Sequence, residues 1–108
     1  MQPNDAIPDV VGEARDRLKS LYGHRLQEVI LYGSHARGEA MAGSDIDLMV
    51  VLADFDDPED EASRMDAVGA ELSLQNDVVI TFIPIRARDY SQRNTPLLVN
   101  VRREGISV

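Results

Sequence analysis

The stretch LYGSHARGEAMAGSDIDLMVVL, residues 31–52, decides the fold because it joins two predicted strands. The first strand, QEVILY at 27–32, is rich in β-branched and aromatic residues, and Gly33 breaks it. The second, DIDLMVVL at 45–52, is apolar on both faces after its first three residues, which predicts a central place in a sheet. The connection is too short for the crossover helix of a parallel pair, so we expect an antiparallel or mixed pair.

Helical and strand-like patterns alternate on both sides of this stretch. Apolar residues at helical spacing predict a helix from Asp9, its expected cap, to about residue 21, after a loose lead-in over residues 1–8. Further predicted elements are a short helix over 34–40 capped by Ser34, a helix from Pro58 to about residue 74, a strand over 77–84, a turn or helix over 89–93, a helix over 95–104 and a short edge strand over 106–108. The order predicts one α/β domain over residues 1–108, a small mixed β-sheet flanked by helices.

The composition narrows the class of protein. The chain has 108 residues, of which 44% are hydrophobic, enough for one core. Its net charge of −8 comes without a basic stripe, so we do not expect direct binding to DNA or RNA. The acidic balance is compatible with a basic protein partner and also with simple solubility.

The chain lacks the sequence features of export and of disulfide-stabilised proteins. It has no cysteine, which excludes disulfides and thiolate metal sites. Its start, MQPNDAIPDV, has neither the basic nor the apolar region of a signal peptide, and no apolar run approaches the ~20 residues of a membrane span. We therefore expect a cytoplasmic, soluble protein.

Two carboxylates at the start of the second strand are the main candidates for a metal site. Asp45 and Asp47 are two residues apart, so both point to one face of a strand, while Ile46 points to the other. Two carboxylates on one face repel each other unless a cation lies between them, and Mg²⁺ prefers such hard oxygen ligands. Two bound metal ions can stabilise both the attacking and the leaving oxygen when a group is displaced at phosphorus. Asp77, which opens the next predicted strand, is the candidate third carboxylate and proton acceptor.

The turn after the first strand is the candidate phosphate site. Gly33 allows the backbone to turn sharply and approach a ligand closely, and Ser34 offers a hydroxyl and an amide at a helix start. Arg37 can meet a phosphate or pair with a local acid. Taken singly, each feature has a plainer explanation: a solvated strand end for Asp45 and Asp47, a helix cap for Ser34, a surface charge for Arg37.

The combination resembles a known family. Gly33-Ser34 at the end of one strand, ten residues, and Asp45-Ile46-Asp47 at the start of the next resemble the motif of the DNA polymerase β-like nucleotidyltransferases. The stretch GSHARGEAMAGSDIDLMVVL is similar to the minimal nucleotidyltransferase (MNT) branch, which includes the antitoxins of HEPN/MNT toxin–antitoxin pairs. The resemblance covers most of the chain and is most specific over residues 31–52.

The resemblance implies an activity, cofactors and a partner. Antitoxins of this branch use ATP and Mg²⁺ to transfer AMP to a tyrosine of a HEPN-domain toxin, with which this chain would form a hetero-oligomer. Gly33 and Ser34 would then bind the nucleotide phosphates. Asp45 and Asp47 would hold the metal ions, and Asp77 would complete the set.

Three other functions stay open at this point. A small-molecule nucleotidyltransferase, of the kind that modifies aminoglycosides, is disfavoured because there is no second domain. A module that neutralises a toxin by occlusion is disfavoured by the intact motif. A fragment of a nucleic-acid polymerase is disfavoured by the charge and by the lack of a region that would hold a template.

Overall fold

The computed structural model describes residues 8–41 and 43–108, so the lead-in predicted over residues 1–8 lies almost wholly outside the described residues. The elements, in chain order, are α1 (Asp9–Tyr22), a single 3-10 turn (Gly23–Arg25), β1 (Leu26–Tyr32), α2 (Ser34–Arg37), β2 (Ile46–Leu52), α3 (Pro58–Asn76), β3 (Ile80–Arg86), α4 (Ala87–Gln92), α5 (Pro96–Glu104) and β4 (Ile106–Ser107). Among the described residues, no helix combines the length and the apolar character needed to cross a membrane.

The four strands form one mixed sheet in the order β3-β2-β1-β4. β1 and β2 are antiparallel, as are β1 and β4, whereas β2 and β3 run parallel with α3 as their crossover. The predicted mixed α/β fold is therefore confirmed. In the register of the antiparallel pair Tyr32 lies opposite Asp47, so the end of β1 meets the start of β2 at one edge of the sheet.

Apolar layers cover both faces of β2. Ile46 and Leu48 belong to the larger layer, which includes residues of α1 and α3. Met49 and Val51 point the other way, into a smaller layer completed by residues of α5, and all four side chains are buried. Because successive side chains of a strand alternate in direction, Asp47 points to the α5 side of the sheet.

One predicted helix cap and one predicted strand start are wrong, whereas the predicted start of α1 at Asp9 is confirmed. Pro8, not Asp9, stands at the cap position of α1, and Asp9 is the first helical residue. The third strand does not begin at Asp77: α3 continues through Asn76, and Asp77 ends it in the left-handed conformation, with φ 52° and ψ 46°. Aspartate is among the few non-glycine residues that adopt this conformation readily. β3 begins three residues later, at Ile80.

Candidate active site

Gly33 makes the sharp turn that the sequence predicts between β1 and α2. Its backbone has φ 78° and ψ −154°, which side chains disfavour. A Cβ at this position would lie 2.5 Å from Oδ2 of Asp47. The glycine therefore allows the Asp47 carboxylate to lie directly against the backbone at the end of β1.

Ser34 follows as the first residue of α2, which corrects its predicted role. Gly33, which has no side chain to make a capping hydrogen bond, stands at the cap position. The short helix ends at Arg37 rather than at residue 40, because Gly38 adopts a left-handed conformation with φ 72°. The Ser34 hydroxyl is thus not used to stabilise the helix and can serve a ligand.

Asp45 and Asp47 differ in their surroundings. Asp45 immediately precedes β2 and is exposed, whereas Asp47 lies within β2 and is half-buried. Burial raises the pKa of Asp47 above its usual value, the charge of Asp45 raises it further, and the positive charges of His35 and Arg37 act in the opposite direction. The positive charge near Asp47 therefore does not offset its burial and the negative charge of Asp45.

This pair fits a divalent cation. Both groups offer hard oxygen ligands, and a bound cation would relieve the desolvation and the mutual repulsion that raise the pKa of Asp47. Magnesium usually binds one or two carboxylates together with substrate phosphates and water, so two protein carboxylates are a sufficient set. When bound, the ion would neutralise negative charge on those phosphates.

Arg37 is half-exposed at the rim of this site and is held by two acids. Its Nε donates a hydrogen bond of 2.8 Å to Oε2 of Glu39, and its guanidinium lies 3.7 Å from Oε2 of Glu104 at the end of α5. The structure thus shows the acid pairing that the sequence left open for Arg37. Its charge still reaches Asp47, whose pKa it lowers.

His35 is a residue whose role sequence reasoning missed. Its Nε2 lies 3.3 Å from the backbone oxygen of Ser44, which ties α2 to the loop that leads into β2. The Ser44 hydroxyl in turn accepts a hydrogen bond of 2.9 Å from the Met41 backbone N–H. These contacts fix the approach to Asp45. A partner that is a backbone carbonyl leaves no signal in the sequence.

Asp77 is not brought together with the carboxylate pair. It lines a cleft of about 400 Å³ together with His35, Ser44 and Ile46. Ile46 belongs to the apolar layer opposite the face of Asp47. Across residues 8–41 and 43–108, no three His, Cys, Asp or Glu side chains are grouped so as to hold a metal ion. The role of Asp77 as third carboxylate stays a prediction.

The mixed sheet, the glycine turn and the paired carboxylates define a nucleotidyltransferase domain. The family described as "Nucleotidyltransferase domain" matches residues 11–100, and the chain belongs to this family.

Two curated relatives, both from Methanocaldococcus jannaschii, carry the name "Putative protein adenylyltransferase". One is 45% identical over 57 residues, 52% of this chain and 53% of the relative. The other is 25% identical over 75 residues, 69% of this chain and 75% of the relative. The match to the first relative thus spans about half of its length.

Solved structures share the fold. A structure described as a minimal nucleotidyltransferase is 25% identical, with a TM-score of 0.59 over 94% of this chain and 98% of the other. A toxin–antitoxin complex with AMP-PNP matches at 22% identity and a TM-score of 0.63, over 88% of this chain and 69% of the other. A Shewanella oneidensis complex of a tri-AMPylated HEPN toxin with its MNT antitoxin matches at 19% identity and a TM-score of 0.55, over 91% and 70% of the two chains.

Proposed function

We propose that this chain transfers AMP from ATP to a hydroxyl group of a partner protein, a HEPN-domain toxin, and thereby acts as its antitoxin. The proposal depends mainly on one contact: the carboxylate of Asp47, the candidate metal ligand, lies against the Gly33 turn, the candidate phosphate site. The names of the two curated relatives support protein adenylylation. The AMPylated HEPN toxin in the Shewanella complex supports the choice of acceptor.

The residues of the turn bind the nucleotide in this proposal. Gly33 has no side chain, so a phosphate can approach the backbone next to Asp47. The Ser34 hydroxyl donates a hydrogen bond to a phosphate oxygen, since it is not engaged as a helix cap. Arg37 adds positive charge at the rim, where it already lowers the pKa of Asp47.

Asp45 and Asp47 would hold Mg²⁺, which would neutralise negative charge on the triphosphate. The acceptor hydroxyl, tyrosine in this proposal, attacks the α-phosphorus, a new O–P bond forms, and the bond between the α-phosphorus and the bridging oxygen breaks. Pyrophosphate leaves, and the hydroxyl proton passes to water. The protein contributes position and charge neutralisation rather than a covalent intermediate.

The proposed setting is the cytoplasm, where ATP is available, and the proposed assembly is a hetero-oligomer with the toxin. The net charge of −8 suits a basic protein partner better than a nucleic-acid backbone. The acceptor in this proposal is a protein side chain and not a nucleic-acid end.

The test is the intact mass of the protein that the neighbouring gene encodes, which the proposal expects to be a HEPN-domain toxin, after incubation with this protein, ATP and Mg²⁺. We expect a gain of one or more AMP units, and no gain with the Asp47→Asn variant at equal concentration. An unchanged mass in a stable complex would overturn the proposal in favour of neutralisation by occlusion. An equal gain with Asp47→Asn would remove the assigned site.

A further inference from the structure

The register between β2 and β3 shows which side chain of β3 reaches the site. The strands are parallel, with Ile46 opposite Ile80, Asp47 opposite Thr81 and Leu48 opposite Phe82. Ile46, Leu48, Ile80 and Phe82 all belong to the apolar layer shared with α1 and α3. Because side chains alternate along each strand, Asp47 and Thr81 share the opposite face, on strands ~4.8 Å apart.

Thr81 differs from its neighbours in exposure. Ile80 and Phe82 are buried, whereas Thr81 is exposed, so packing in the core does not account for its presence. A β-branched residue on an exposed strand is common and needs no special role. Its position beside the half-buried carboxylate of Asp47 is what makes its hydroxyl relevant to the site.

Asp77 does not occupy this register position beside Asp47. It lies four residues before Thr81, beyond the start of β3, where it ends α3. It lines the cleft that Ile46 also lines, and Ile46 points away from the face of Asp47. Among the described residues, Asp77 is not grouped with Asp45 and Asp47 as a third ligand for a metal ion.

We infer that β3 contributes the neutral hydroxyl of Thr81, and not a carboxylate, to the active site proposed above. The inference rests on the proposed function, because it concerns the same cation and nucleotide. Asp45 and Asp47 are then the only carboxylates that the described residues supply to the cation. Two carboxylates at the edge of a sheet hold Mg²⁺ weakly without further ligands, so the triphosphate must complete the set.

As a consequence, the divalent cation binds tightly only when the nucleotide is also bound. A carboxylate at position 81 would remove this dependence, because it would add a third charged oxygen ligand next to Asp47. Thr81→Asp should therefore create tight cation binding in the absence of nucleotide. Thr81→Asn should not create such binding, because asparagine has nearly the same size as aspartate but carries no charge.

The experiment is calorimetric titration of the purified chain with Mn²⁺ alone, and with AMP-PNP in the presence of Mg²⁺. We expect Thr81→Asp to bind Mn²⁺ alone at least about tenfold more tightly than the unmodified chain, a common size for changes in a metal's surroundings. Thr81→Asn and Ser63→Asp, which adds the same charge on the exposed side of α3, should match the unmodified chain. Asp77→Asn should leave both titrations unchanged.

Two results would overturn the inference. In the first, Asp77→Asn weakens binding of AMP-PNP with Mg²⁺ as much as Asp47→Asn does. In the second, a folded Thr81→Asp variant binds Mn²⁺ no more tightly than Ser63→Asp does. If circular dichroism shows that Thr81→Asp does not fold, the Asp77→Asn titration decides. Failure of the proposed function gives a different pattern, since the unmodified chain would then not bind AMP-PNP with Mg²⁺, or Asp47→Asn would bind it equally well.

Discussion

The carboxylate of Asp47 occupies the space that a side chain of residue 33 would need. A Cβ on Gly33 would lie 2.5 Å from Oδ2 and 3.5 Å from Cγ of Asp47. The antiparallel register that pairs Tyr32 with Asp47 produces this approach. Glycine is thus required here for space as well as for its positive φ of 78°.

Gly33→Ala should abolish nucleotide transfer, because the new methyl group displaces the Asp47 carboxylate. It should also destabilise the fold by roughly 1–3 kcal/mol through backbone strain. Gly38→Ala is the matched control, since Gly38 has a similar φ of 72° but nothing within 4 Å of a Cβ. Thermal unfolding and transfer assays on both variants should show a loss of stability in each and a loss of activity only in Gly33→Ala. Equal activities would contradict the assigned contact.

Asp47→Asn should stabilise the protein in the absence of metal and nucleotide while abolishing transfer. The pKa of Asp47 in the fold is above the ordinary 3.8, so its ionised form costs stability at pH 7. That cost is absent below the ordinary pKa, where both the folded and the unfolded chains carry the proton. The gain in free energy of unfolding, about 1 kcal/mol or less at a half-exposed site, should therefore vanish near pH 3.

The control for this effect is Asp66→Asn, which removes an equal charge from an exposed position on α3. It reports the general effect of net charge. Denaturant unfolding at pH 7 and at about pH 3 would be measured for both variants. A loss of stability in Asp47→Asn at pH 7, or a gain no larger than that of Asp66→Asn, would show that Asp47 is not held in an unfavourable charged state.

Ser34→Ala should weaken binding of AMP-PNP with Mg²⁺ and leave the unfolding temperature unchanged. One hydrogen bond to a charged phosphate contributes about 1.5–3 kcal/mol, equivalent to about a tenfold loss of affinity or more. Thr95→Ala should do the reverse, because Thr95 caps α5 by accepting a hydrogen bond of 3.3 Å from the Leu98 N–H. Its loss should cost about 1 kcal/mol of stability and leave nucleotide affinity unaltered. A stability loss in Ser34→Ala with normal binding would mean that Ser34 serves the helix.

Tyr22→Phe should reduce stability by about 1–3 kcal/mol, because it leaves Oε1 of the buried acid Glu61 without its hydrogen-bond donor. The Tyr22 hydroxyl donates a hydrogen bond of 2.9 Å to Glu61, a residue that is only 6% exposed. Arg25 and Arg64 lie farther away, at 3.5 and 3.9 Å. This cluster is remote from the site, so transfer activity should be retained at temperatures where the variant is folded.

The same pair predicts a dependence on alkaline pH. Burial, then the hydrogen bond to Glu61 and its charge, raise the pKa of Tyr22 above the ordinary 10.0. The contribution of the neutral phenol to stability is complete below pH 10 and is lost as the pH rises towards the raised value. Urea unfolding should therefore show the difference between Tyr22→Phe and the unmodified chain shrinking above about pH 10. A constant difference would contradict the buried bond.

Much of the fold could be predicted from local patterns. The β-branched run before Gly33 and the doubly apolar run after Asp45 are each strong signals, and the short link between them excludes a parallel pair. The residues at which helices and strands begin and end depend on contacts between residues distant in sequence. Asp77 illustrates this: β3 is aligned by its pairing with β2, which includes a bond of 2.8 Å from the Ile46 N–H to the Val79 oxygen.

The candidate site could be predicted only in part, because it too depends on contacts between residues distant in sequence. The spacing of Gly33 and Asp47 carried the motif, but strand register places Thr81, rather than Asp77, beside Asp47. A sequence does not state how two strands are aligned. Likewise, a Gly-Ser pair before a helix does not show which of the two residues takes the cap position.

Nucleotidyl transfer is tested most directly by finding which phosphate of ATP, α or γ, becomes attached to the acceptor. The HEPN-domain partner and this protein would be incubated with Mg²⁺ and ATP labelled with ³²P on either the α- or the γ-phosphate. The proposed reaction predicts that the α-label becomes bound to the partner, that the γ-label does not, and that Asp47→Asn abolishes labelling. Label from the γ-phosphate on the partner, or no label from either in a stable complex, would contradict it.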